Sequence, residues 1–182
     1  PPLLGEKGRR TYLILVFDET ELRPSGGFVP VYGLVTYEQG RIVSWEFQDT
    51  QLADSQLTGR VEAPPQIAKY LDETGWHLRD VAWSGDFPTT ANRAAWFVDK
   101  QLAVKTSGVL GVYISFLRSL LETTGPLEVQ SVGTVDAKNI YSTIHTAGGT
   151  GTTSLVYISR AIFEHVSKHL KDKPYDFLGK TV

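Results

Sequence analysis

The run TYLILVF, which covers residues 11–17, constrains the fold of this chain more than any other segment. All of its residues are aliphatic, aromatic or β-branched, and no charge, glycine or proline interrupts them. A strand with one face in water alternates apolar and polar residues, whereas an unbroken apolar run is typical of a strand buried on both faces. We therefore predict a central strand in a sheet covered by helices, as in α/β proteins.

Two further extended segments predict a β-hairpin. The first is VPVYGLVTY at 29–37 and the second is RIVSWEF at 41–47, with the turn EQG between them. Gly40 supplies the positive φ that such a turn needs. The hairpin adds antiparallel pairs, so the sheet is expected to be mixed. From Asp49 to Pro65 the chain is polar and is expected to form a long loop.

The rest of the chain alternates helical and extended patterns. A short helix is expected from Pro65, with Ile67, Ala68 and Leu71 on one face, followed by a polar elbow at 77–88. Two longer helices are predicted from apolar residues at helical spacing. These residues are Ala91, Ala94, Ala95, Val98 and Leu102 in the first helix, and Leu155, Ile158, Ile162, Val166 and Leu170 in the last.

Between those helices the pattern predicts a β–α–β unit. It consists of the strand SGVLGVYI at 107–114, a helix capped by Ser115 and ended by Gly125, and the strand LEVQSV at 127–132. Asp136 is expected to cap a helix that runs through Ile144. We predict a single α/β domain over residues 1–182, a three-layer αβα sandwich with a mixed sheet. The Gly/Thr-rich stretch 146–154 is expected to be a flexible connection before the last helix.

Composition excludes several classes of function. The chain has no cysteine, so disulfides, thiolate metal sites and cysteine nucleophiles are absent. Its 18 basic and 20 acidic residues give a net charge of −2, which argues against a nucleic-acid partner bound through a basic face. The chain begins at Pro1 without an initiator methionine, which we interpret as a trimmed domain, and no apolar run is long enough to span a membrane.

The loop DETELRPSGGF, residues 18–28, follows the predicted central strand and is the sharpest candidate site. In open α/β sheets, ligands bind beyond the carboxyl ends of the strands. Carboxylates can hold a divalent cation, an arginine can bind phosphate, and glycines let backbone N–H groups approach an anion. The loop residues that offer this chemistry are Asp18, Glu19, Glu21, Arg23, Ser25, Gly26 and Gly27. The alternative is a solvated turn whose glycines satisfy backbone geometry.

Two other segments offer weaker candidates. Asp49 ends the third strand and can face the same crevice as Asp18, although without further information the better explanation is that it starts a turn. Arg79 can supply positive charge to a ligand, and Trp83 can supply a flat apolar surface for a sugar or lipid. Alternatively, Trp83 belongs to the core. Asp80 and Asp86 are alternatively caps, and the pair His165 and His169 lacks further metal ligands.

Several blocks together carry a family resemblance. They are ELRPSGGF, WEFQD, LRDVAWSGDFPTTANRAAWF, SGVLGVYISFLRSLLETTGPLEV and VDAKNIY, within a match from Pro2 to Tyr141. The chain resembles an uncharacterised bacterial domain family found in large, often membrane-anchored envelope proteins. That family has no established activity.

The chain is similar, more distantly, to the LytR–CpsA–Psr phosphotransferases, which attach lipid-pyrophosphate-linked glycopolymers to peptidoglycan outside the membrane. LILVFD places Asp18 on the Asp of their G-x-D motif, RPSGG places Arg23 on the Arg of their R-S-D-T block, and FQDT places Asp49 on the Asp of a later block. Two positions depart from the pattern. Ser25 stands where a second magnesium-binding Asp is expected, and Gln48 stands where a pyrophosphate-binding Arg is expected.

The resemblance implies an extracytoplasmic domain, anchored in the membrane through a segment outside this chain. Its expected partner is a polyprenyl-(pyro)phosphate-linked glycan or another envelope lipid or glycan, which it binds and, if active, transfers. The implied residues are Asp18, Glu21 and Asp49 for Mg²⁺, Arg23 and Asp49 for catalysis, and Arg23, Ser25, Gly26, Gly27, Arg79 and Trp83 for the substrate. The alternative is a non-catalytic scaffold or interaction domain of an envelope assembly.

Overall fold

A computed structural model describes residues 2–72, 74–145 and 151–172 of the chain. The chain divides into two units, Pro1–Ser115 and Phe116–Val182. The prediction of one domain over residues 1–182 stays a prediction.

The first unit contains a four-stranded mixed sheet. Its strands are β1 (Arg10–Asp18), β2 (Phe28–Glu38), β3 (Arg41–Asp49) and β4 (Gly108–Tyr113), in the order β3-β2-β1-β4. β1 pairs antiparallel with β2 and parallel with β4, and β2 pairs antiparallel with β3. The predicted central strand and the mixed sheet are therefore confirmed, and β1, β3 and β4 all end at the same edge of the sheet.

The predicted hairpin is also confirmed. Gln39 and Gly40 join β2 to β3 with φ values of 51° and 76°. Two successive residues at positive φ give the turn a twist that matches the twist of the paired strands.

Among its described residues, five helices belong to this unit. They are a 3₁₀ helix at Pro2–Leu4, α1 (Thr50–Asp54), α2 (Pro65–Leu71), a second 3₁₀ helix at Leu78–Trp83 and α3 (Phe87–Leu102). Of these, α1, α3 and the second 3₁₀ helix contribute to a buried cluster on one face of the sheet. Leu13, Leu15 and Phe17 of β1 form a buried cluster with Phe97 and Val98 of α3. Burial of an apolar side chain of this size contributes about 1.5–3 kcal/mol.

Three local predictions in this unit are wrong. The polar stretch after Asp49 begins with helix α1, because the Asp49 carboxylate accepts the N–H of Gln51. Helix α2 buries only Ile67, whereas Ala68 and Leu71 face water. The segment expected to be a polar elbow includes the second 3₁₀ helix, which buries Leu78, Asp80, Val81 and Ala82.

The second unit corrects the predicted β–α–β unit. Helix α4 (Ile114–Thr124) is followed by β5 (Leu127–Val129), which pairs antiparallel with β6 (Gly133–Val135) in a separate two-stranded sheet. The strand expected at 127–132 is instead one half of a local hairpin. Ser131 adopts a φ of 62° in its turn, and the N–H of Val132 bonds to the carbonyl of Val129.

The ends of α4 agree with the prediction at one end only. Gly125 ends the helix at a φ of 87°, and its N–H bonds to the carbonyl of Leu121. At the start, Ser115 lies inside the helix, and the Glu19 carboxylate accepts the N–H groups of Ile114 and Ser115 at 3.1 and 2.8 Å. The predicted Ser115 cap is therefore wrong, because a distant carboxylate supplies the acceptor.

Helices α5 (Ile140–His145) and α6 (Gly151–Asp172) complete the second unit and pack against each other. Asp136 accepts the N–H groups of Lys138 and Asn139 in the turn before α5. Leu155, Ile158 and Ile162 of the predicted α6 face are buried and Val166 is half-buried, while Leu170 lies outside the residues whose side chains are described.

The expected flexible connection is corrected in part. Residues 151–154 form the first turn of α6, and 146–150 lie outside the described residues. The α/β class and the mixed sheet are confirmed. Among the described helices, none has the length and apolar character needed to cross a membrane.

Candidate functional site

The loop that follows β1 is closed by its own hydrogen bonds. The buried Asp18 carboxylate accepts the N–H and the hydroxyl of Thr20 at 2.9 and 2.6 Å. Glu21 is exposed, and its backbone bonds to the carbonyl of Asp18 and the N–H of Phe28. The loop conformation is therefore fixed without any ligand.

Gly26 and Gly27 are required by this conformation. Their φ values are 124° and 134°, which side chains rarely adopt. A Cβ at Gly27 would collide with the carbonyl of Asp18, and one at Gly26 would collide with the ring of Tyr113. The predicted role of these glycines in anion binding stays a prediction beside this structural requirement.

Ser25 ties the loop to the helices below it. Its Oγ lies 2.8 Å from Oγ1 of Thr90 on α3, and its N–H donates to the carbonyl of Ala82 at 3.1 Å. The hydroxyl and the N–H of Ser25 thus link the loop to α3 and to the second 3₁₀ helix.

Arg23 pairs with a buried carboxylate. Its Nη2 donates to Oδ1 of Asp80 at 3.2 Å, and the two side chains are only 13% and 4% exposed. Its Nη1 donates to the carbonyl of Leu22, and the guanidinium lies 5.4 Å from the centre of the Phe28 ring. Its Nε is buried and has no hydrogen-bond partner within the described residues.

Asp80 also links Arg23 to a second arginine. Nε of Arg79 lies 3.6 Å from Oδ2 of Asp80, and Nη1 of Arg79 donates to Oδ2 of Asp54 at 3.3 Å. The other Asp54 oxygen accepts the N–H of Leu78 and Nε2 of Gln101. We call the four charged residues Arg23, Asp80, Arg79 and Asp54 the arginine–aspartate network.

Asp49 lies at the same sheet edge as Asp18, at the end of β3. Burial raises the pKa of its carboxyl group, and the negative charge of Asp54 raises it further. The hydrogen bond from Gln51 and the positive charge of Arg79 lower this pKa. The structure therefore couples Asp49 by charge to the network, while its hydrogen bond serves helix α1.

The carboxylates predicted to hold Mg²⁺ each have a different environment. In the part of the chain that the structure describes, no three Asp, Glu or His side chains are grouped to hold a metal ion. Asp18 bonds to Thr20, Asp49 caps α1, and Glu21 is exposed. A Mg²⁺ role for these residues stays a prediction, and we derive no chemical step through it.

The remaining candidates separate into structural and exposed positions. Trp83 ends the second 3₁₀ helix and is half-buried. Asp86 caps α3 by accepting the N–H of Thr89 at 2.8 Å, and hydrogen bonds from Thr89 lower the pKa of its carboxyl group. Gln48 pairs with Tyr32 in the β2–β3 ladder. Asp80, by contrast, pairs with arginines and does not cap a helix.

Sequence reasoning missed Asp54 and the pairing of Asp80 with the two arginines. Asp54 and Gln101 lie in segments without any motif, and they meet only because α1 and α3 fold against the same face of the sheet. Asp80 was considered only as a cap. The adjacent residues Arg79 and Asp80 in an otherwise apolar stretch were the one available signal, because buried charges are nearly always paired.

The fold and the site define an α/β domain with a paired arginine–aspartate network at the carboxyl edge of a mixed sheet. The chain belongs to DUF4012, a family described as a protein of unknown function, whose model matches residues 7–147. This confirms the resemblance to an uncharacterised family. The place of the domain in the cell envelope stays a prediction.

One solved structure that is similar to this chain is the transcriptional regulator yvhJ from Bacillus subtilis. The two chains are 12% identical with a TM-score of 0.49, over 88% of this chain and 67% of the other. Likeness at this level defines no shared function. No curated protein matches the chain. The similarity to LytR–CpsA–Psr phosphotransferases therefore stays a prediction.

Proposed function

We propose that this domain binds a polyprenyl-(pyro)phosphate-linked glycan, or a similar envelope lipid, through Arg23 and Arg79 without transferring it. One observation carries the proposal. Arg23 comes from the loop after β1 and Arg79 from the second 3₁₀ helix, and their guanidinium groups approach opposite oxygens of the Asp80 carboxylate. They meet at the edge of the sheet where open α/β folds bind ligands.

The pairing of Arg23 supports a phosphate ligand. A guanidinium has five N–H donors in a planar fork that fits phosphate oxygens. Arg23 uses one donor for Asp80 and one for the carbonyl of Leu22. These single hydrogen bonds leave other guanidinium N–H groups available to a second anion. A bidentate pair with Asp80 would use two of those groups on one carboxylate.

The arrangement of the carboxylates supports binding without transfer. Phosphoryl transfer depends on positioning and on neutralising charge, for which these enzymes use divalent cations. The Asp18 carboxylate accepts two hydrogen bonds from Thr20, and the Asp49 carboxylate caps α1. Ser25 and Gln48, at the two positions that depart from the transferase pattern, bond to Thr90 and pair in the sheet, respectively.

The proposed ligand also implies where the domain is located and that the protein is anchored in a membrane. Glycans on polyprenyl carriers are used outside the cytoplasmic membrane by the proteins that this chain resembles. We therefore place the domain outside the cytoplasm, and we propose a membrane anchor elsewhere in the protein. Trp83 is half-buried and follows Arg79 and Asp80 closely in the sequence. We propose that its ring is the surface that contacts a sugar or lipid.

A second candidate function is a scaffold that binds no lipid. The observation that favours it is the charge balance of the network, in which Asp80 and Asp54 oppose the two arginines. A phosphate arriving at Arg23 would add negative charge beside Asp80, and the repulsion would weaken its binding.

Titration calorimetry with farnesyl pyrophosphate, a water-soluble polyprenyl pyrophosphate, distinguishes the two candidates. We expect the wild-type chain to bind and Arg23→Ala to bind at least about tenfold more weakly, because each charged hydrogen bond contributes about 1.5–3 kcal/mol. Arg23→Lys keeps the charge but loses the fork, so its affinity should be intermediate. Arg9→Ala is the matched control, since Arg9 pairs with Glu38 on the surface.

Folding of each variant is checked by thermal melting before titration, and the comparison is made well below the lowest Tm. Equal affinity for wild type and Arg23→Ala would contradict the proposed site. Absence of binding by a folded wild-type chain would favour the scaffold. Transfer is tested separately with a lipid-linked glycan, Mg²⁺ and peptidoglycan, and we expect no release of the carrier lipid.

A further inference from the structure

A cleft of about 360 Å³ opens at the amino end of β1, at the other end of the sheet from Arg23. Its lining residue Thr11 lies seven positions before Asp18 in β1, a distance of roughly 23 Å along a strand. The residues that matter for its chemistry are Thr11, Leu34, Thr36, Ser44, Glu46 and Val104. All of them belong to the first unit.

Hydroxyl groups form a row across three strands in this cleft. Thr11 pairs with Thr36 between β1 and β2, and Thr36 pairs with Ser44 between β2 and β3. Residues paired in this way present their side chains on the same face of a sheet. Oγ1 of Thr11 lies 2.9 Å from Oγ1 of Thr36, so one of these hydroxyls donates a hydrogen bond to the other. The remaining donor and acceptor positions of the two hydroxyls are available to a ligand.

Glu46 supplies the charge in the lining. It is exposed, and it stands opposite Leu34, one side-chain row along from Ser44. An ionised carboxylate only accepts hydrogen bonds, so it selects a ligand that carries donors. The hydroxyls beside it both donate and accept. Leu34 and Val104 add apolar surface to the same cleft.

We propose that this cleft binds a neutral sugar unit of monosaccharide size. A sugar ring combines C–H surface, which fits Leu34 and Val104, with hydroxyls that donate to Glu46 and exchange hydrogen bonds with the row of threonine and serine hydroxyls. A purely cationic ligand would use Glu46 but would leave the donor positions of that row without acceptors. The volume of about 360 Å³ accommodates one ring with ordered water.

This inference is independent of the proposed function, because it uses none of the residues of the arginine–aspartate network. A small polar ligand in an open cleft gains little binding energy per atom, so a dissociation constant on the order of 1 mM is expected. The site would recognise a glycan at a second point, far from any phosphate bound by Arg23.

The test is a proton–nitrogen NMR titration of the full chain with glucose and with N-acetylglucosamine. We expect saturable shifts of the backbone signals of Ser44 and Glu46 with one of these sugars. Glu46→Gln should weaken binding about tenfold, since a neutral acceptor replaces a charged one. Glu62→Gln, an exposed carboxylate outside the cleft, is the matched control and should bind as wild type does.

Three results would overturn the proposal. They are the absence of saturable shifts in the cleft with either sugar, an unchanged affinity in Glu46→Gln, and shifts at the cleft with spermidine but not with the sugars. Ser44→Ala gives a second variant on the surface and should weaken binding about threefold. Arg23→Ala should leave the sugar titration unchanged, which separates this site from the proposed phosphate site.

Discussion

Arg23 and Asp80 form an ion pair of 3.2 Å whose two side chains are 13% and 4% exposed. Removing one partner of a pair this well shielded destabilises the folded protein, because the remaining buried charge has neither a partner nor water around it. The pair also connects the loop after β1 to the second 3₁₀ helix. The stability of the candidate site therefore depends on both residues together.

Removing both partners of this pair should cost less than the sum of the two single removals. We expect Asp80→Ala to lower the free energy of unfolding by about 3 kcal/mol, and the double variant Arg23→Ala/Asp80→Ala to lose less than the sum of the single variants. Urea denaturation of the four proteins measures the coupling. The exposed pair Arg9–Glu38 is the control, and Arg9→Ala should cost less than about 0.5 kcal/mol. Additive effects of Arg23 and Asp80 would show that the pair is not coupled.

Glu19 should stabilise the start of α4. Its carboxylate accepts hydrogen bonds from two N–H groups that have no acceptor within the helix. Its negative charge also interacts favourably with the positive end of the helix dipole. We expect Glu19→Ala to lower the free energy of unfolding by about 1–2 kcal/mol. Glu21→Ala removes an exposed carboxylate from the same loop and should change it by less than about 0.5 kcal/mol. Equal effects in urea denaturation would refute the capping role.

A methyl group at Gly27 should be far more damaging than one at Gly40. Both glycines have positive φ, but a Cβ at Gly27 would collide with the Asp18 carbonyl, whereas nothing lies within 4 Å of one at Gly40. Backbone strain alone accounts for about 1 kcal/mol in Gly40→Ala. Collision adds to strain in Gly27→Ala, so we expect a loss of at least about 2 kcal/mol. Comparable losses in the two variants would mean that the loop moves to accept the side chain.

Tyr32 should make stability fall at high pH. Burial raises the pKa of its phenol from 10.0 to about 12, and the charges of Glu46 and Asp49 contribute to the rise. Between these two values the unfolded chain releases this proton while the folded chain retains it, so the free energy of unfolding decreases as pH rises from about 10 to about 12. Tyr32→Phe should show a shallower decrease over that interval in urea titrations. An identical pH dependence would contradict the raised pKa.

The main sheet could be predicted because its signals are local. The apolar run of β1 specifies burial on both faces through the side chains themselves, and Gly40 marks the hairpin turn directly. The pairing of β5 with β6 was missed for the opposite reason. Each of these strands has three residues, which is too short to carry a periodic pattern.

The candidate site could be predicted only in part. Arg23, Ser25 and the two glycines were found because they stand together after a buried strand. Asp54 and Gln101 come from two different helices. Glu19 bonds to the start of α4 although it lies 95 positions before Ile114 in the chain. Long-range hydrogen bonds of this kind leave no mark in the local sequence, and so the role of these residues followed only from the fold.

The central claim is that the guanidinium groups of the network bind phosphate, and the signals of the arginine Nε–H groups test it most directly. Proton–nitrogen NMR follows them during titration with farnesyl pyrophosphate, and Arg23→Lys and Arg79→Lys assign the two resonances. We predict that the signals of Arg23 and Arg79 shift together and saturate, while that of Arg9 stays in place. Saturable binding that leaves both network signals unmoved would contradict the account.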